Sequence, residues 1–332
     1  MHLRRLGSTG LKVSEICLGT MTFGHQCDEE VSFTIMDKAA EHGVNFIDTA
    51  DVYPVPPSPD TAGTTEEIVG SWLQGQRDRF VVATKCRLKV GYGPNDEGLS
   101  RVHIMRAVEE SLRRLKTDYI DLYQAHKPDP NTPLEETLRA FDDLVRQGKV
   151  RYLGCSNYPA WQVALSLGIC NNRDYARFEC VQPRYNLLFR EMETELLPLC
   201  LDQGIGIINY NPLAGGLLTG KYLETKEPVE GTRFALGGAT GKLYQDRYWH
   251  DGEFAAVQKL HQFFQPRNKP LAQVAIAWVL QQRGITSAIV GASKPEQLDL
   301  TLPAINLELD EEERNVCNEV WFDIPRQRHL VR

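Results

Sequence analysis

An aspartate, a tyrosine, a lysine and a histidine stand at or shortly after the ends of short apolar segments: Asp48, Tyr53, Lys85 and His126. A lysine directly after the run Val-Val-Ala-Thr is drawn inward and needs a counter-charge, which Asp48 can supply. An ammonium beside a phenol favours the phenolate and lowers the tyrosine pKa from about 10 towards neutrality. Such a tyrosine can protonate a developing alkoxide, while the histidine orients or polarises a carbonyl oxygen.

Each of these side chains also has a purely structural interpretation. Lys85 and Asp48 could form an ion pair that only closes one end of the fold. Tyr53 could cap a pocket, and His126 could be a hydrogen-bonded core histidine. The functional interpretation depends on whether the fold brings all four residues to one place.

Eight short apolar segments predict the strands that would position these residues. They read as nearly continuous hydrophobic runs, which is typical of strands that are covered on both faces. The segments are Ile16–Leu18, Val44–Asp48, Phe80–Lys85, Tyr119–Gln124, Val150–Gly154, Phe178–Gln182, Ile205–Asn209 and Ser287–Gly291.

Amphipathic patterns between these segments predict helices over residues 31–42, 101–116 and 133–147. His42-Gly43 is a typical end for the first of them. Thr132 before Pro133 is expected to cap the third. The apolar positions of the two later helices are Met105, Val108, Leu112 and Leu115, and then Leu134, Leu138, Phe141 and Val145.

Alternating strands and helices predict a single α/β domain over residues 1–332, a (β/α)₈ TIM barrel with an N-terminal β-hairpin. Long loops at the C-terminal face are expected at residues 54–65 and 222–252. The alternative is a doubly wound sheet. It is disfavoured because Gly-x-Gly occurs only at 91–93 and 204–206, without the third glycine of a dinucleotide fingerprint.

The composition excludes several classes of protein. The chain has 332 residues, and 37 basic against 44 acidic residues give a formal net charge of −7, which argues against a nucleic-acid partner. The longest uncharged stretch, 203–220, is interrupted by glycines and a proline, so no membrane span is expected. The eight cysteines form no C-x-x-C pair and predict buried, reduced thiols in a cytoplasmic protein without a zinc site.

Two local patterns are weak. Residues 215–221 match the phosphate-loop spacing G-x-x-x-x-G-K, but Tyr222 stands where that motif needs Ser or Thr. Asp48 and Asp51 resemble a metal-binding carboxylate pair, yet no His cluster or third carboxylate accompanies them. Neither a phosphate loop nor a metal site is therefore predicted, and a metal-dependent barrel hydrolase is disfavoured.

The sequence resembles the aldo-keto reductases over about residues 1 to 320. The resemblance is closest to a Tas-like bacterial branch, with potassium-channel β-subunits as more distant relatives. The motifs that carry it are Gly-Thr-Met-Thr-Phe-Gly at 19–24, Asn-Phe-Ile-Asp-Thr-Ala-Asp-Val-Tyr at 45–53, Ala-Thr-Lys at 83–85, Asp-Tyr-Ile-Asp-Leu-Tyr at 118–123, Gly-Cys-Ser-Asn at 154–157, Tyr-Asn-Leu-Leu at 185–188, Pro-Leu-Ala-Gly-Gly-Leu-Leu-Thr-Gly-Lys at 212–221 and Gly-Ala-Ser at 291–293.

This resemblance implies reduction of an aldehyde or ketone by NADPH, with a small-molecule carbonyl compound as substrate. Tyr53 would be the proton donor, Lys85 would lower its pKa, and Asp48 would hold Lys85. His126 would hydrogen-bond the carbonyl oxygen. The tetrad is intact, which favours an enzyme over the alternative: a redox-sensing or scaffold subunit that binds NADPH and turns over slowly.

The resemblance also implies a cofactor site. The nicotinamide would stack on Tyr210, and its carboxamide would be held by Ser156, Asn157 and Gln182. The 2′-phosphate would be held by Lys221, Ser293, Arg233 and Lys294, and the cationic groups among them give a reason for NADP rather than NAD. The full cofactor set is Thr20, Met21, Asp48, Ser156, Asn157, Gln182, Tyr210, Asn211, Pro212, Leu213, Ala214, Gly215, Lys221, Arg233, Gly291, Ser293, Gln297 and Thr301.

One departure from the family pattern concerns the adenine end. The family often has Glu-Asn shortly after the Gln297 position, where this chain has Leu300 and Thr301. The adenine contacts are therefore expected to differ from those of relatives. The sequence does not choose between a monomer and a homo-oligomer.

Overall fold

Eight parallel strands close into a barrel in the computed structural model, which describes residues 1–325. The chain divides into two compact units. The first comprises residues 1–184, 192–210 and 283–299, and it contains every strand of the barrel. The second comprises residues 185–191, 211–282 and the chain from residue 300. The single-domain expectation stays a prediction.

All eight predicted strand segments are confirmed, with ends shifted by at most two residues. An antiparallel hairpin of β1 (Leu3–Arg5) and β2 (Lys12–Ser14) precedes them, as expected. The barrel strands are β3 (Ile16–Gly19), β4 (Phe46–Asp48), β5 (Val81–Cys86), β6 (Ile120–Ala125), β7 (Val150–Ser156), β8 (Phe178–Gln182), β9 (Gly206–Asn209) and β10 (Ile285–Gly291).

The hairpin packs against the N-terminal ends of the strands. Leu6 and Val13 are fully buried in the apolar cluster that fills the lower barrel. Gly7 makes this contact possible: a Cβ there would lie 2.4 Å from the carbonyl oxygen of Gly204, and its φ is 58°. The neighbouring amide of Ser8 donates to that carbonyl over 2.8 Å. The hairpin therefore closes the barrel end that is opposite the predicted site.

The helices of the chain mostly follow the strands, as in a (β/α)₈ fold. Within the first unit, consecutive helices from α2 to α6 pack against one another. The helices are α1 (Glu29–Glu41), α2 (Thr64–Trp72), α3 (Arg101–Leu115), α4 (Leu134–Arg146), α5 (Ala160–Arg173), α6 (Leu196–Gln203), α7 (Gly238–Tyr248), α8 (Asp251–Phe264), α9 (Leu271–Leu280), α10 (Glu296–Thr301) and α11 (Glu311–Asp323).

Two helix starts differ from the prediction. Helix α1 begins at Glu29 because Asp28 caps it, accepting a hydrogen bond from the amide of Val31. The expected cap of α4 by Thr132 is wrong. Pro133 occupies the cap position without a side-chain hydrogen bond, and the Thr132 hydroxyl donates to Asp129 instead. A threonine competes for local partners, and here a carboxylate of the preceding loop is the stronger acceptor.

The second unit corrects the expectation of a long loop over 222–252. That segment contains a short 3₁₀ helix (Arg233–Ala235) and helix α7. An aromatic cluster orders it: the rings of Phe234 and Trp249 lie 4.6 Å apart, and Tyr222 packs edge-on against both. By contrast, residues 54–63 form an irregular connection from β4 to α2, as predicted.

The interior of the barrel changes from apolar to polar along five of its eight strands, namely β4, β5, β6, β8 and β9. Phe46, Ala83, Leu122, Cys180 and Ile208 belong to the apolar cluster. Because side chains of a strand point to one face at every second position, the residues two places further on face the same interior. Those residues are Asp48, Lys85, Gln124, Gln182 and Tyr210. The strand alternation thus places a polar layer directly above the core, at the C-terminal ends.

No helix within residues 1–325 is both long and apolar enough to cross a bilayer. All eight cysteines are free and buried, as predicted.

Candidate active site

A buried ion pair forms the base of the polar layer. The ammonium of Lys85 donates to Asp48 Oδ2 over 2.6 Å and to the carbonyl oxygen of Thr49 over 2.7 Å. The Lys85 side chain is 0% exposed and that of Asp48 is 4% exposed. Two such charges are tolerated inside a protein only when they are paired and hydrogen-bonded.

Tyr53 and His126 lie beside this pair. The Lys85 Nζ atom lies 5.1 Å from the centre of the Tyr53 ring. The rings of Tyr53 and His126 meet edge to face, with centroids 5.9 Å apart. The fold therefore brings the four predicted catalytic side chains to one place at the C-terminal end of the barrel, where (β/α)₈ enzymes hold their active sites.

The charge states of two of these groups follow from their surroundings. Burial disfavours the Lys85 ammonium, but the neighbouring Asp48 carboxylate and Tyr53 outweigh that effect and raise the pKa of Lys85 above its usual value. Burial is also the main reason that the pKa of His126 lies well below its usual value, and the positive charges of Lys85, Lys127 and Arg87 add to it. His126 is therefore a neutral imidazole at neutral pH.

Two glutamine amides complete the shell around Asp48. Gln182 Nε2 donates to Asp48 Oδ1 over 2.8 Å, and Gln124 Nε2 donates to the same oxygen over 3.2 Å. The sequence prediction placed Gln124 in a strand but gave it no role. A glutamine two positions after Leu122, on the same inward face of β6, was the available signal, because a buried amide needs a polar partner.

The predicted nicotinamide contacts of the first unit form a connected network. Asn157 Nδ2 donates to the carbonyl oxygen of His126 over 3.0 Å and to Ser156 Oγ over 2.9 Å. The Tyr210 hydroxyl donates to Asn157 Oδ1 over 2.8 Å, and the Ser156 hydroxyl donates to the carbonyl oxygen of Gln182. Hydrogen bonds thus connect four residues at the ends of β7, β8 and β9, which are Ser156, Asn157, Gln182 and Tyr210.

The remaining predicted contacts of the first unit lie near the ends of β3 and β10. The Thr20 hydroxyl donates to the carbonyl oxygen of Asp48 over 3.0 Å. The carbonyl oxygen of Met21 accepts from the amide of Val55 over 3.0 Å, which ties the connection after Tyr53 to this edge. Gly291 lies opposite Gly19 in the barrel, and the Ser293 amide donates to Gln297 Oε1.

In the second unit, the segment Asn211–Gly215 leads into a 3₁₀ helix (Ala214–Thr219). Left-handed conformations at Asn211, Ala214 and Gly215 turn the chain sharply, and a Cβ on Gly215 would lie 3.1 Å from the ring of Phe234. Pro212 is buried and Leu213 is half-buried. Tyr222, which stands where a phosphate loop needs Ser or Thr, is fully buried against Phe234 and Trp249, which argues against a phosphate loop at residues 215–221.

Two cations of the second unit stand close together. Arg233 Nη1 donates to Asn211 Oδ1 over 2.9 Å. The pKa of Lys221 is lowered by partial burial of its ammonium and by the charge of Arg233. The residue as a whole is exposed. Within residues 1–325 neither cation has an acidic partner at ion-pair distance, which is the arrangement of an anion site. Thr301 is buried, whereas Leu300 is 57% exposed.

Asp51, the second carboxylate of the weak pair, lies in a buried environment. It is 1% exposed, and neither oxygen of its carboxyl group has a hydrogen-bond partner. Burial and the neighbouring Glu66 raise the pKa of Asp51 well above its usual value, which favours the protonated form of its carboxyl group. Among the residues that the structure describes, no cluster of three His, Cys, Asp or Glu side chains could hold a metal ion.

Comparisons with known proteins agree with this fold. The sequence model of the Aldo/keto reductase family matches residues 15–321. The uncharacterized oxidoreductase YrpG of Bacillus subtilis is 38% identical over 97% of this chain and 96% of its own. A probable voltage-gated potassium channel subunit beta of Arabidopsis thaliana is 37% identical over 92% of both chains. Protein tas of Escherichia coli is 34% identical over 94% of this chain and 95% of its own.

The chain belongs to the aldo/keto reductase family and is therefore an oxidoreductase built on a TIM barrel. The expectation that the channel subunits are more distant than tas is not seen in these identities. The plant channel subunit, at 37% identity, is no more distant from the chain than protein tas, at 34% identity.

Proposed function

We propose that the protein reduces aldehyde and ketone carbonyls to alcohols with NADPH, and that Tyr53 is the proton donor. The observation that carries the proposal is the buried Lys85–Asp48 pair, with its ammonium 5.1 Å from the centre of the Tyr53 ring. A buried ion pair costs desolvation free energy, so its position beneath a phenol at the barrel mouth favours a chemical role.

The roles of the four residues follow from their charges. The Tyr53 hydroxyl gives its proton to the carbonyl oxygen as negative charge develops there. The positive charge of Lys85 favours the phenolate that remains, and Asp48 fixes the position of Lys85 through the 2.6 Å contact. His126, neutral because it is buried among cations, hydrogen-bonds the same carbonyl oxygen without bringing a further charge.

The polar network of the first unit fits the nicotinamide end of the cofactor. When bound, NADPH supplies the hydride. The half-buried Tyr210 ring offers a flat surface, and Ser156, Asn157 and Gln182 offer polar groups for the carboxamide. Gln182 uses its Nε2 group on Asp48, so its oxygen is the atom left to accept a hydrogen bond from the carboxamide. Thr20 and Met21 would line the same end, whereas Ser293 would contribute to binding the 2′-phosphate. Gly291 and Gln297 would belong to the same cofactor set.

The cations of the second unit fit the phosphates of NADPH. Lys221 and Arg233 lie close enough to lower the pKa of Lys221, and a 2′-phosphate would relieve that repulsion. The Asn211 Nδ2 group is buried without a hydrogen-bond partner, which suits a pyrophosphate oxygen along Asn211–Gly215. Thr301 would complete this end. The eight buried free thiols fit a reducing cytoplasmic location.

The test is the oxidation of NADPH by the purified protein, followed by its absorbance. The carbonyl panel contains 4-nitrobenzaldehyde, methylglyoxal, a quinone and an aldose, with NADH run in parallel. Turnover with NADPH and little with NADH is the expected result. Failure of every carbonyl to accelerate oxidation, with NADPH bound, would contradict the proposal.

The 37% identity to a plant channel subunit favours a second candidate, an NADPH-binding subunit with slow turnover. The two candidates differ in rate. A reductase is expected to turn over at about 1 s⁻¹ or faster on its best substrate. Tight NADPH binding with far slower turnover on all carbonyls would favour the second candidate.

A further inference from the structure

We propose that Arg87 binds a carboxylate of the substrate, so that the preferred substrates are small aldehydes or ketones that carry a carboxylate group. The inference rests on the proposed function, because it assigns a substrate class to that site. Its starting point is the position of Arg87 beside His126.

The register of the barrel places these two residues side by side. Lys85 lies opposite Gln124, and Cys86 lies opposite Ala125 in the β5–β6 pair. The amide of His126 then donates to the carbonyl oxygen of Cys86 over 3.0 Å. Arg87 directly follows β5 and His126 directly follows β6. Both residues therefore lie beyond the layer of Lys85, towards the C-terminal end of the barrel.

No carboxylate lies within ion-pair distance of the Arg87 guanidinium among residues 1–325. Its Nε atom is buried and has no hydrogen-bond partner. The charge of Arg87 lowers the pKa of the Asp129 carboxylate, but that carboxylate already accepts hydrogen bonds from loop donors. Asp129 Oδ2 accepts from the Leu99 amide and the Thr132 hydroxyl, and its Oδ1 accepts from the Asn131 amide. A buried donor without a partner is costly, and a ligand can remove that cost.

The backbone holds Arg87 in a strained conformation. Its φ is 140°, which side chains other than glycine rarely adopt. The Gly98 amide donates to the carbonyl oxygen of Arg87 over 2.8 Å, and this hydrogen bond connects the two ends of the loop that follows β5. Strain that the surrounding structure maintains is typical of functional positions. The half-buried Arg87 side chain is therefore fixed at its root and still reachable from solvent.

The charges around His126 favour an anion at this place. The positive charges of Lys85, Lys127 and Arg87 all act on its ring. Asp48 forms an ion pair with Lys85, whereas no carboxylate is in ion-pair contact with Arg87 among residues 1–325. Positive charge that converges in a cleft attracts negatively charged substrates. A guanidinium binds a carboxylate through two parallel hydrogen bonds, which also orients the bound molecule.

This arrangement separates two tasks. His126 and Tyr53 contact the carbonyl oxygen, and Arg87 contacts the carboxylate of the same molecule. Because Arg87 and His126 are neighbours, the two groups must lie within one small molecule. Oxo acids and formyl benzoates meet that condition.

The experiment compares 4-carboxybenzaldehyde with its neutral counterpart, methyl 4-formylbenzoate, in the wild-type protein and in Arg87→Met. The wild-type protein is expected to prefer the acid in kcat/KM. Arg87→Met is expected to lower kcat/KM for the acid by roughly 10- to 100-fold, mainly through KM. The ester should change by no more than about twofold. Arg87→Lys should restore part of the preference.

The control variant is Arg113→Met, which removes one positive charge from the exposed surface of α3. It should leave the preference for the acid unchanged. An acid-to-ester ratio that is the same in the wild-type protein and Arg87→Met would overturn the proposal for Arg87, with carbonyl reduction itself still in place.

A binding measurement separates this proposal from the proposed function. Isothermal titration of 4-(hydroxymethyl)benzoate, the alcohol product, into the protein with NADP⁺ needs no turnover. Binding by the wild-type protein that is weakened at least about tenfold in Arg87→Met supports the carboxylate site. Equal affinity in both proteins, or no binding by either, overturns it. Absence of NADPH oxidation with both aldehydes would instead count against the proposed function.

Discussion

Gln182 Nε2 lies 2.8 Å from Asp48 Oδ1, the carboxylate oxygen that Lys85 does not bind. The buried carboxylate thus has three side-chain donors from three strands, which are Lys85, Gln124 and Gln182. A buried ion pair is stable only when its remaining hydrogen-bonding capacity is satisfied. The position of Lys85 beneath Tyr53 therefore depends on Gln124 and Gln182 as well as on Asp48.

Replacement of the buried lysine should affect both stability and activity. Lys85→Met leaves the Asp48 carboxylate buried without its cation, which costs about 3–5 kcal/mol of unfolding free energy. The loss is measured by urea denaturation monitored by circular dichroism. Reduction of 4-nitrobenzaldehyde should be lost as well, because the phenolate of Tyr53 would lose its neighbouring positive charge.

The double variant Lys85→Met with Asp48→Asn is the control for that explanation. Because it contains no uncompensated charge, it should regain part of the lost stability while remaining inactive. A double variant as unstable as the sum of the two single variants would show that the charge is not the cause.

Tyr53→Phe should abolish reduction while retaining the cofactor. The substitution removes only the hydroxyl, so the ring keeps its contacts with His126 and Lys85. Loss of a proton donor is expected to reduce kcat by about 10²- to 10⁴-fold. The Kd for NADPH, measured by fluorescence titration, should change by no more than about twofold. Simultaneous loss of binding and turnover would contradict the role of proton donor.

Asp51→Asn should flatten the dependence of stability on pH. The pKa of Asp51 is raised by burial in the folded protein, so the folded state binds a proton that the unfolded chain releases above about pH 3.9. The free energy of unfolding of the wild-type protein therefore falls as the pH rises from about 4 towards the pKa of Asp51 in the folded state. Asparagine keeps the shape without titrating.

Unfolding free energies of the wild-type protein and Asp51→Asn at several pH values between about 4 and 8 give the comparison. The unfolding free energy of the variant should increase relative to that of the wild-type protein as the pH rises. Parallel curves for the two proteins would show that Asp51 is ionised in the folded state.

Lys221→Met should weaken NADPH binding more than NADH binding. The cofactors differ in the 2′-phosphate, and a charge-assisted contact to it is worth about a tenfold or larger factor in Kd. Fluorescence titration with both cofactors measures the difference. Lys226→Met, which removes a neighbouring exposed cation, is the matched control. Equal weakening for NADPH and NADH would refute a 2′-phosphate contact.

The sequence determined the barrel because its eight strands are short, continuous apolar runs. Such runs depend on local composition, and the polar residues that follow them necessarily meet at one end of a parallel barrel. Asp48, Lys85 and His126 could therefore be placed together before any coordinates were known. Helix starts were less certain, because Thr132 found a nearby carboxylate that no periodic pattern announces.

Only the tertiary structure decided which polar groups are paired and which are not. Gln124 joins Asp48 across a separation of 76 residues, whereas Arg87, two residues after Lys85, keeps a buried Nε without a partner. Spacing along the chain is silent on both, because hydrogen bonding and burial depend on distances between strands far apart in sequence. The tertiary contacts of each group therefore determine its charge, and hence its chemistry.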